Sequence, residues 1–305
     1  MYLPNIGVEV HETPLNQTVI EQTPRHNVKP KKRTLKTRFD QPKLDQPKIT
    51  TLTYNLWLEN SYSKERVTRV IHIIRDTMPD VVCLQEISQD VFKFIESMLA
   101  PFFQIFQAFV TEDNPYGTCI MCNRKTVRII ESEDNPYYYD YNSSKMSRRI
   151  VGCEIEFIKF AAPKFHVLTT HLESLSENDR YRASQFNAIK QAVASLKYCI
   201  VMGDFGIWNE NEDAAQAISN SKLKDAWIEM GCPYKVKYTY NSRKNPNAKE
   251  KGQYRFDRIL YHTRDHLIKP KTMGLLGKNN ISTELPFPAS NHYGLYCEFE
   301  VKESD

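Results

Sequence analysis

The sequence has no apolar run of about 18 residues, the length a helix needs to cross a bilayer, so a membrane span is not expected. Met1 to Glu12 lacks a basic start followed by an apolar block, and no secretory signal is expected either. Cysteines are few and odd in number, seven scattered through 305 positions, which argues against a disulfide framework and for reduced thiols inside a cell. Cys119 and Cys122 have CxxC spacing, but there is no second pair and no nearby His. They sit in an apolar strand-like run, so buried strand cysteines are expected rather than a metal or redox site. No internal repeat is visible.

Charge is also missing where it would be informative, with one exception. Nine of the 41 Lys/Arg and five of the 37 Asp/Glu fall in residues 1–48, so that segment carries the whole formal net charge of +4. It is rich in Pro, Thr and Gln without sustained periodicity, and residues 1–48 read as a disordered basic tail. Lys29-Pro30-Lys31-Lys32-Arg33 is a compact basic cluster like a nuclear localisation signal, which predicts a nuclear protein, with cytoplasm as a second location. A solvated tail that loosely contacts nucleic acid is the alternative.

What is present begins at Ile49. Ile49 to Trp57 is rich in β-branched and aromatic residues and reads as a strand ending at Asn55. Ser63 is placed to cap a helix whose apolar face is Val67, Val70, Ile71 and Ile74, ended by Pro79. A buried strand, Asp80 to Ile87, follows, then a helix with Val91, Phe94, Ile95 and Met98 along one face. Further strands are expected at Tyr116–Asn123, Val127–Glu131, Ile150–Ile158, Phe165–His171, Tyr198–Asp204, Arg255–Tyr261 and Tyr293–Val301, with a long helix over Glu177–Leu196. About nine strands with intervening helices suit an α/β fold of two packed sheets flanked by helices, in one domain over residues 49–305.

Polar residues then draw attention by position. Asn55, Glu86, His171, Asp204, Asp257 and His292 each lie within or at the end of an apolar strand-like run. Burying carboxylates is costly without a compensating cation or donor, and strand ends of layered α/β folds are where sites are built. Taken singly, Glu86 reads better as a surface turn residue and His171 as a satisfied core histidine; the order and context of all six together point to a site. A second feature is the segment with Lys235, Lys237, Arg243, Lys244, Lys249 and Lys251 interleaved with Tyr234, Tyr238 and Tyr240. Basic side chains track phosphates and aromatic rings stack bases, so a single-stranded nucleic-acid end fits it, and a solvated loop is the alternative.

In order along the chain stand Thr53-Tyr54-Asn55-Leu56, Leu84-Gln85-Glu86, Thr170-His171-Leu172-Glu173-Ser174, Met202-Gly203-Asp204 and Ser290-Asn291-His292. This series resembles the motifs of the endonuclease/exonuclease/phosphatase superfamily. Arg255-Phe256-Asp257-Arg258-Ile259, the Gly274-Leu275-Leu276-Gly277 turn, Pro286-Phe287-Pro288 and Ser144-Lys145-Met146-Ser147-Arg148-Arg149 are similar to its tyrosyl-DNA phosphodiesterase 2 branch. The resemblance implies a four-layered α-β-β-α sandwich of two mixed sheets. It also implies Mg²⁺-dependent hydrolysis of 5′-phosphotyrosyl bonds at DNA ends, with Mn²⁺ able to substitute and RNA adducts as a further substrate, by a monomer.

The same resemblance implies roles. Glu86 is the expected metal ligand, Asp204 orients or deprotonates the attacking water, and Asn55 bonds the phosphate or a metal-bound water. His292, oriented by Asp257, donates to a phosphoryl oxygen, and His171 reaches the phosphate from another side. Tyr116, Tyr240 and Arg255 are the expected substrate contacts. Two positions depart from the family pattern: Gly206 stands where it has Asn, and Asn291 where it has Asp. The departures admit a second reading, a catalytically silent relative that binds DNA ends or a protein. Abasic-site cleavage and inositol or sphingolipid phosphatase activity fit the Arg255–Ile259 and Pro286–Pro288 segments poorly. Asn209 is expected to reach back in place of the missing amide.

Overall fold

Alternation along the strands sets the layers. In the segment 81–84, Val81 and Cys83 enter one apolar cluster while Val82 and Leu84 enter another on the opposite face. In 199–202, Ile200 and Met202 share the first cluster, and Cys199 and Val201 join a third. A strand with both faces apolar is covered on both sides. Three apolar interfaces therefore separate four layers.

The computed structural model describes residues 47–108 and 116–302. The residues before 47, including the cluster Lys29–Arg33 and nearly all of the basic tail, lie outside the described residues. In chain order the elements are β1 (Lys48–Asn55), α1 (Ser63–Thr77), β2 (Val81–Ser88), α2 (Gln89–Leu99), β3 (Phe103–Ala108), β4 (Tyr116–Asn123) and β5 (Val127–Ile129). Next come β6 (Tyr137–Asp140), β7 (Arg149–Phe157), β8 (Phe165–His171), α3 (Asp179–Ala192), β9 (Tyr198–Asp204), α4 (Asp213–Ser219) and β10 (Lys224–Asp225). The chain continues with α5 (Ala226–Glu229), β11 (Tyr240–Asn241), β12 (Gln253–Tyr254), β13 (Asp257–Thr263), β14 (Ile268–Leu276) and β15 (Gly294–Val301).

One sheet has the order β14-β15-β1-β2-β4-β3, and the other β10-β13-β9-β8-β7-β5 with β6 also on β7. Only β1–β2 and β8–β9 run parallel among the pairings described. Helices α1 and α2 cover the first sheet and α3 and α4 the second, which makes the fold an α-β-β-α sandwich. Cys119 and Cys122 are fully buried free thiols in β4.

Several expectations are corrected. Ser63 is the first helical residue rather than the cap; Tyr62 precedes it in a left-handed conformation and no side chain caps α1. The buried face of α2 is Phe92, Ile95 and Leu99, and Met98 is exposed. Gly274–Leu276 is not a turn: it ends β14, paired with β15, and only Gly277 leaves the ladder. β3, β6 and β14 had no clear alternation and went unread.

The parallel pair β8–β9 approaches unusually closely at Gly203. A Cβ built there would overlap the carbonyl oxygen of Thr170, its register partner, so only glycine fits.

Candidate active site

Strand direction brings the polar residues to one end of the sandwich. Asn55 ends β1, and Glu86 lies near the end of its parallel neighbour β2. His171 and Asp204 are register partners at the ends of β8 and β9, and Asp257, which starts antiparallel β13, pairs with Asp204. His292 stands two residues before β15, whose Leu295 pairs with Thr53.

Glu86 needs an additional device. In a regular strand it would share the helix-facing side of Val82 and Leu84. The β2–β4 register shifts between Leu84 and Ile87, and Glu86 takes φ 57°, so the bulge turns its carboxylate out of the ladder. Its Oε1 accepts from Asn55 Nδ2 at 3.1 Å and its Oε2 from the Leu58 N–H at 2.6 Å.

Asp204 Oδ2 is the hub. Asn55 Nδ2 donates to it at 2.8 Å, His171 Nε2 lies 3.5 Å away and His292 Nε2 3.7 Å away. The other Asp204 oxygen accepts the Gly206 N–H at 2.9 Å. Burial raises the Asp204 carboxyl above the ordinary range, opposed by His292 and reinforced by Asp257. Asn55 is oriented, because its Oδ1 accepts the Trp57 N–H at 2.8 Å and its amide nitrogen must face the carboxylates.

The two histidines are held in opposite states. Burial disfavours charge on His292, yet Asp257, whose Oδ2 lies 2.8 Å from Nδ1, and Asp204 outweigh it and push its pKa up to about 9. His171 is driven well below the usual range by burial, with Arg148 and His292 adding repulsion. Arg148 Nη1 lies 2.9 Å from His171 Nδ1 and can only donate. Neutral His171 therefore carries its proton on Nε2, facing Asp204 and Glu86, whose Oε1 is 4.0 Å away.

The donor set fits a hard divalent cation. Glu86 offers a carboxylate about one-fifth exposed (21%) beside the buried Asp204 carboxylate, so the ligand atoms on offer are oxygens, while Asn55 turns its amide nitrogen to both and orients them rather than ligating. Asp204, Asp257 and His292 also come within 4.8 Å of one another as potential ligands. That trio is the weaker metal site, because His292 is held protonated against Asp257 Oδ2 and a protonated imidazole does not ligate, although Asp257 Oδ1 has no hydrogen-bond partner among the described residues. Of these carboxylates Glu86 is the one with solvent access, at 21% against 5% for Asp204 and 0% for Asp257.

Other expectations fare unevenly. Tyr116 is half-buried, with Arg148 over its ring at 5.1 Å, and both line a small cavity reaching His171. Tyr240 is 4% exposed and packed against Phe256 and His292, so it has no free face for a base; it buttresses the imidazole instead. Arg255 is also removed from substrate, since its guanidinium bonds Asp225 at 2.5 Å and Glu210 at 3.2 Å and lies over Trp227. Asn209 does not reach back; its Oδ1 accepts the Asn211 N–H within its own turn. Gly206 occupies φ 57°, and half-buried Asn291 places its Oδ1 3.3 Å from Ser290 Oγ.

Arg243, Lys244, Lys249 and Lys251 are exposed on a loop fixed beside His292, where Asn245 and Asn247 donate to the carbonyls of Ser290 and Pro288. Two functional residues escaped sequence reasoning. Arg148 sets the His171 tautomer, and fully buried Glu173 fixes the loop bearing Arg148 by accepting from Ser144 Oγ, the Lys145 N–H and Gln185 Nε2. Both lie in quoted motifs, but nothing in local pattern announces a buried arginine.

The family model described as "Endonuclease/Exonuclease/phosphatase family" matches residues 52–278, a span running from β1 to just past β14. The chain belongs to the endonuclease/exonuclease/phosphatase family. Among characterised relatives it is similar to tyrosyl-DNA phosphodiesterase 2 of Xenopus laevis, 25% identical over 264 residues, covering 84% of this chain and 68% of that one. It is equally similar to 5′-tyrosyl-DNA phosphodiesterase of Caenorhabditis briggsae, 25% identical over 262 residues, covering 83% and 69%. Among solved structures, Danio rerio TDP2 complexed with single-strand DNA product superposes with a TM-score of 0.72 at 22% identity, covering 83% of this chain and 98% of that one. An endonuclease/exonuclease/phosphatase from Bacteroides vulgatus gives a TM-score of 0.66 at 17% identity over 84% and 100%. At these identities the structures establish the shared fold.

Proposed function

We propose that this protein is a hydrolase that cleaves 5′-phosphotyrosyl bonds at DNA ends in DNA repair, using Mg²⁺ or, in its place, Mn²⁺. The observation that carries this reading is the hub at Asp204 Oδ2, which gathers Asn55, His171 and His292 within 3.7 Å. The names of the similar proteins, tyrosyl-DNA phosphodiesterase 2 and 5′-tyrosyl-DNA phosphodiesterase, support the substrate class. RNA adducts are proposed as a second substrate.

A phosphodiester repels nucleophiles through its own charge, so catalysis needs neutralisation, an aligned water and donors to the phosphoryl oxygens. His292 enters protonated and donates through Nε2, its other nitrogen held by Asp257. His171 donates through Nε2 as a neutral imidazole from the other side. Asp204, raised by burial and oriented by Asn55 and the Gly206 N–H, accepts the proton of the attacking water. A divalent cation at Glu86 supplies further positive charge against the phosphate when bound. The tyrosyl leaving group has a pKa near about 10, so its departure needs little help from an acid.

Gly206 and Asn291 favour a second reading, a silent relative that binds DNA ends without cutting them. Incubating the pure protein with a 5′-tyrosyl oligonucleotide, with and without Mg²⁺, separates the two. Mg²⁺-dependent release of tyrosine supports hydrolysis. Binding without release, in wild type and in the Gly206→Asn/Asn291→Asp double variant, supports the silent reading. We also propose that residues 49–305 act as the catalytic domain, as a monomer, and that residues 1–48 direct it to the nucleus. An unchanged distribution on deleting them would remove the last claim.

A further inference from the structure

Arg66 is 2% exposed on α1, and no carboxylate in the described residues pairs with it in a salt bridge. A guanidinium has five N–H donors in a fixed fork, and here each meets a backbone carbonyl. Nε donates to Ser61 at 3.1 Å, Nη1 to Leu56 at 2.9 Å and to Ala289 at 3.1 Å, and Nη2 to Trp57 at 3.1 Å and to Glu59. The Trp57 ring covers the group at 4.8 Å.

Four of those carbonyls belong to the 56–61 loop, and that loop aims two amides into the site. The Trp57 N–H fixes Asn55 Oδ1, and the Leu58 N–H holds Glu86 Oε2. Trp57 keeps φ 60°, a left-handed conformation that is costly for a bulky side chain and needs external support. The fifth carbonyl, Ala289, immediately precedes Ser290, whose hydroxyl donates to the Asn55 carbonyl at 2.7 Å and accepts the His292 N–H at 3.1 Å. One side chain thus ties the loop that orients Asn55 and Glu86 to the segment that delivers His292.

The geometry points to Arg66 as a positioning residue that presets the Glu86 carboxylate, through the Leu58 N–H and through the Asn55 amide that donates to it, for a divalent cation. This rests on the proposed function above. A lysine would keep charge and stem but has three donors on one nitrogen, so it cannot hold five carbonyls spread around a planar fork.

The test compares wild type, Arg66→Lys and Ile189→Ala, the last a core truncation in α3 that lowers stability in the other helical layer. Amide hydrogen exchange is read without metal, and Mg²⁺ and Mn²⁺ binding by calorimetric titration. In wild type the Trp57 and Leu58 amides are expected to exchange as slowly as core strand amides, a result that needs no variant to fold. Arg66→Lys should speed exchange across residues 56–62 and weaken metal binding by about 10-fold or more, a typical loss on removing support from a ligand. Ile189→Ala should change neither locally. Fast wild-type exchange at Trp57 and Leu58, unaltered metal affinity in Arg66→Lys, or the same affinity loss in Ile189→Ala would each overturn the assignment. If wild type neither binds Mg²⁺ nor cleaves, the proposed function fails, and the exchange data still decide whether Arg66 clamps the loop.

Discussion

His292 Nδ1 lies 2.8 Å from Asp257 Oδ2 while its Nε2 lies 3.7 Å from Asp204 Oδ2, so one imidazole bridges two buried carboxylates. Its pKa of about 9 stands above the ordinary 6.5. The stabilisation from charging it is therefore complete below about 6.5 and lost as pH rises through about 9. Hydrolysis that uses His292 as a donor should fall over the same upper range. Asp257→Asn removes the largest favourable partner, so the alkaline limb of the pH–rate profile should move down by at least about one unit. An unmoved limb would show that another group sets it.

Glu86→Gln keeps the shape and the bulge but removes the charge a cation needs. Mg²⁺-dependent turnover should drop about 100-fold or more, with the melting temperature changed little. A titration of rate against Mg²⁺ checks it, and full rescue at high Mg²⁺ would assign affinity rather than chemistry to Glu86.

The departures from the family pattern are reversible in principle. Asn291→Asp preserves the side-chain shape and adds charge near the phosphate site, and kcat should rise about tenfold. Gly206→Asn meets a φ of 57° that Asn tolerates best among side chains, with a Cβ 3.2 Å from the Glu173 carbonyl. It should gain turnover at a small loss in melting temperature. No gain from either change would favour the silent reading.

Arg255→Ala should act on folding and leave DNA affinity alone. It strips the ion-pair partner at 2.5 Å from Asp225, which is 5% exposed, leaving Arg258 at 3.6 Å and the Trp227 N–H at 3.0 Å. A loss of about 3 kcal/mol in chemical denaturation is expected. Arg243→Gln and Lys244→Gln should do the reverse, each flattening the salt dependence of oligonucleotide binding by about 0.7 in log–log slope.

The sequence was legible where a local rule applied. Asn55, His171 and Asp204 stand out in the sequence because a polar residue closing an apolar strand is expensive, and the structure brings those strand ends together. β14 was unreadable because its exposed Lys269, Lys271 and Thr272 break the apolar run, and its glycine-bearing end resembles a turn. Tyr240 and Arg255 were misassigned for a different reason. A basic or aromatic residue beside a motif looks the same whether it faces solvent or a buried acid, and only the partners Asp225, Glu210 and Phe256, distant in sequence, decide. Arg148, Glu173 and Arg66 act through contacts that no periodicity encodes.

Thr170 and Gly203 sit one rung below His171 and Asp204 on the β8–β9 ladder. The distance between that histidine and that aspartate is thus inherited from a spot where there is no side chain at all. Even a methyl group at 203 would wedge the rung apart and carry the imidazole away from the carboxylate above it, disabling the hub without touching any residue that handles substrate.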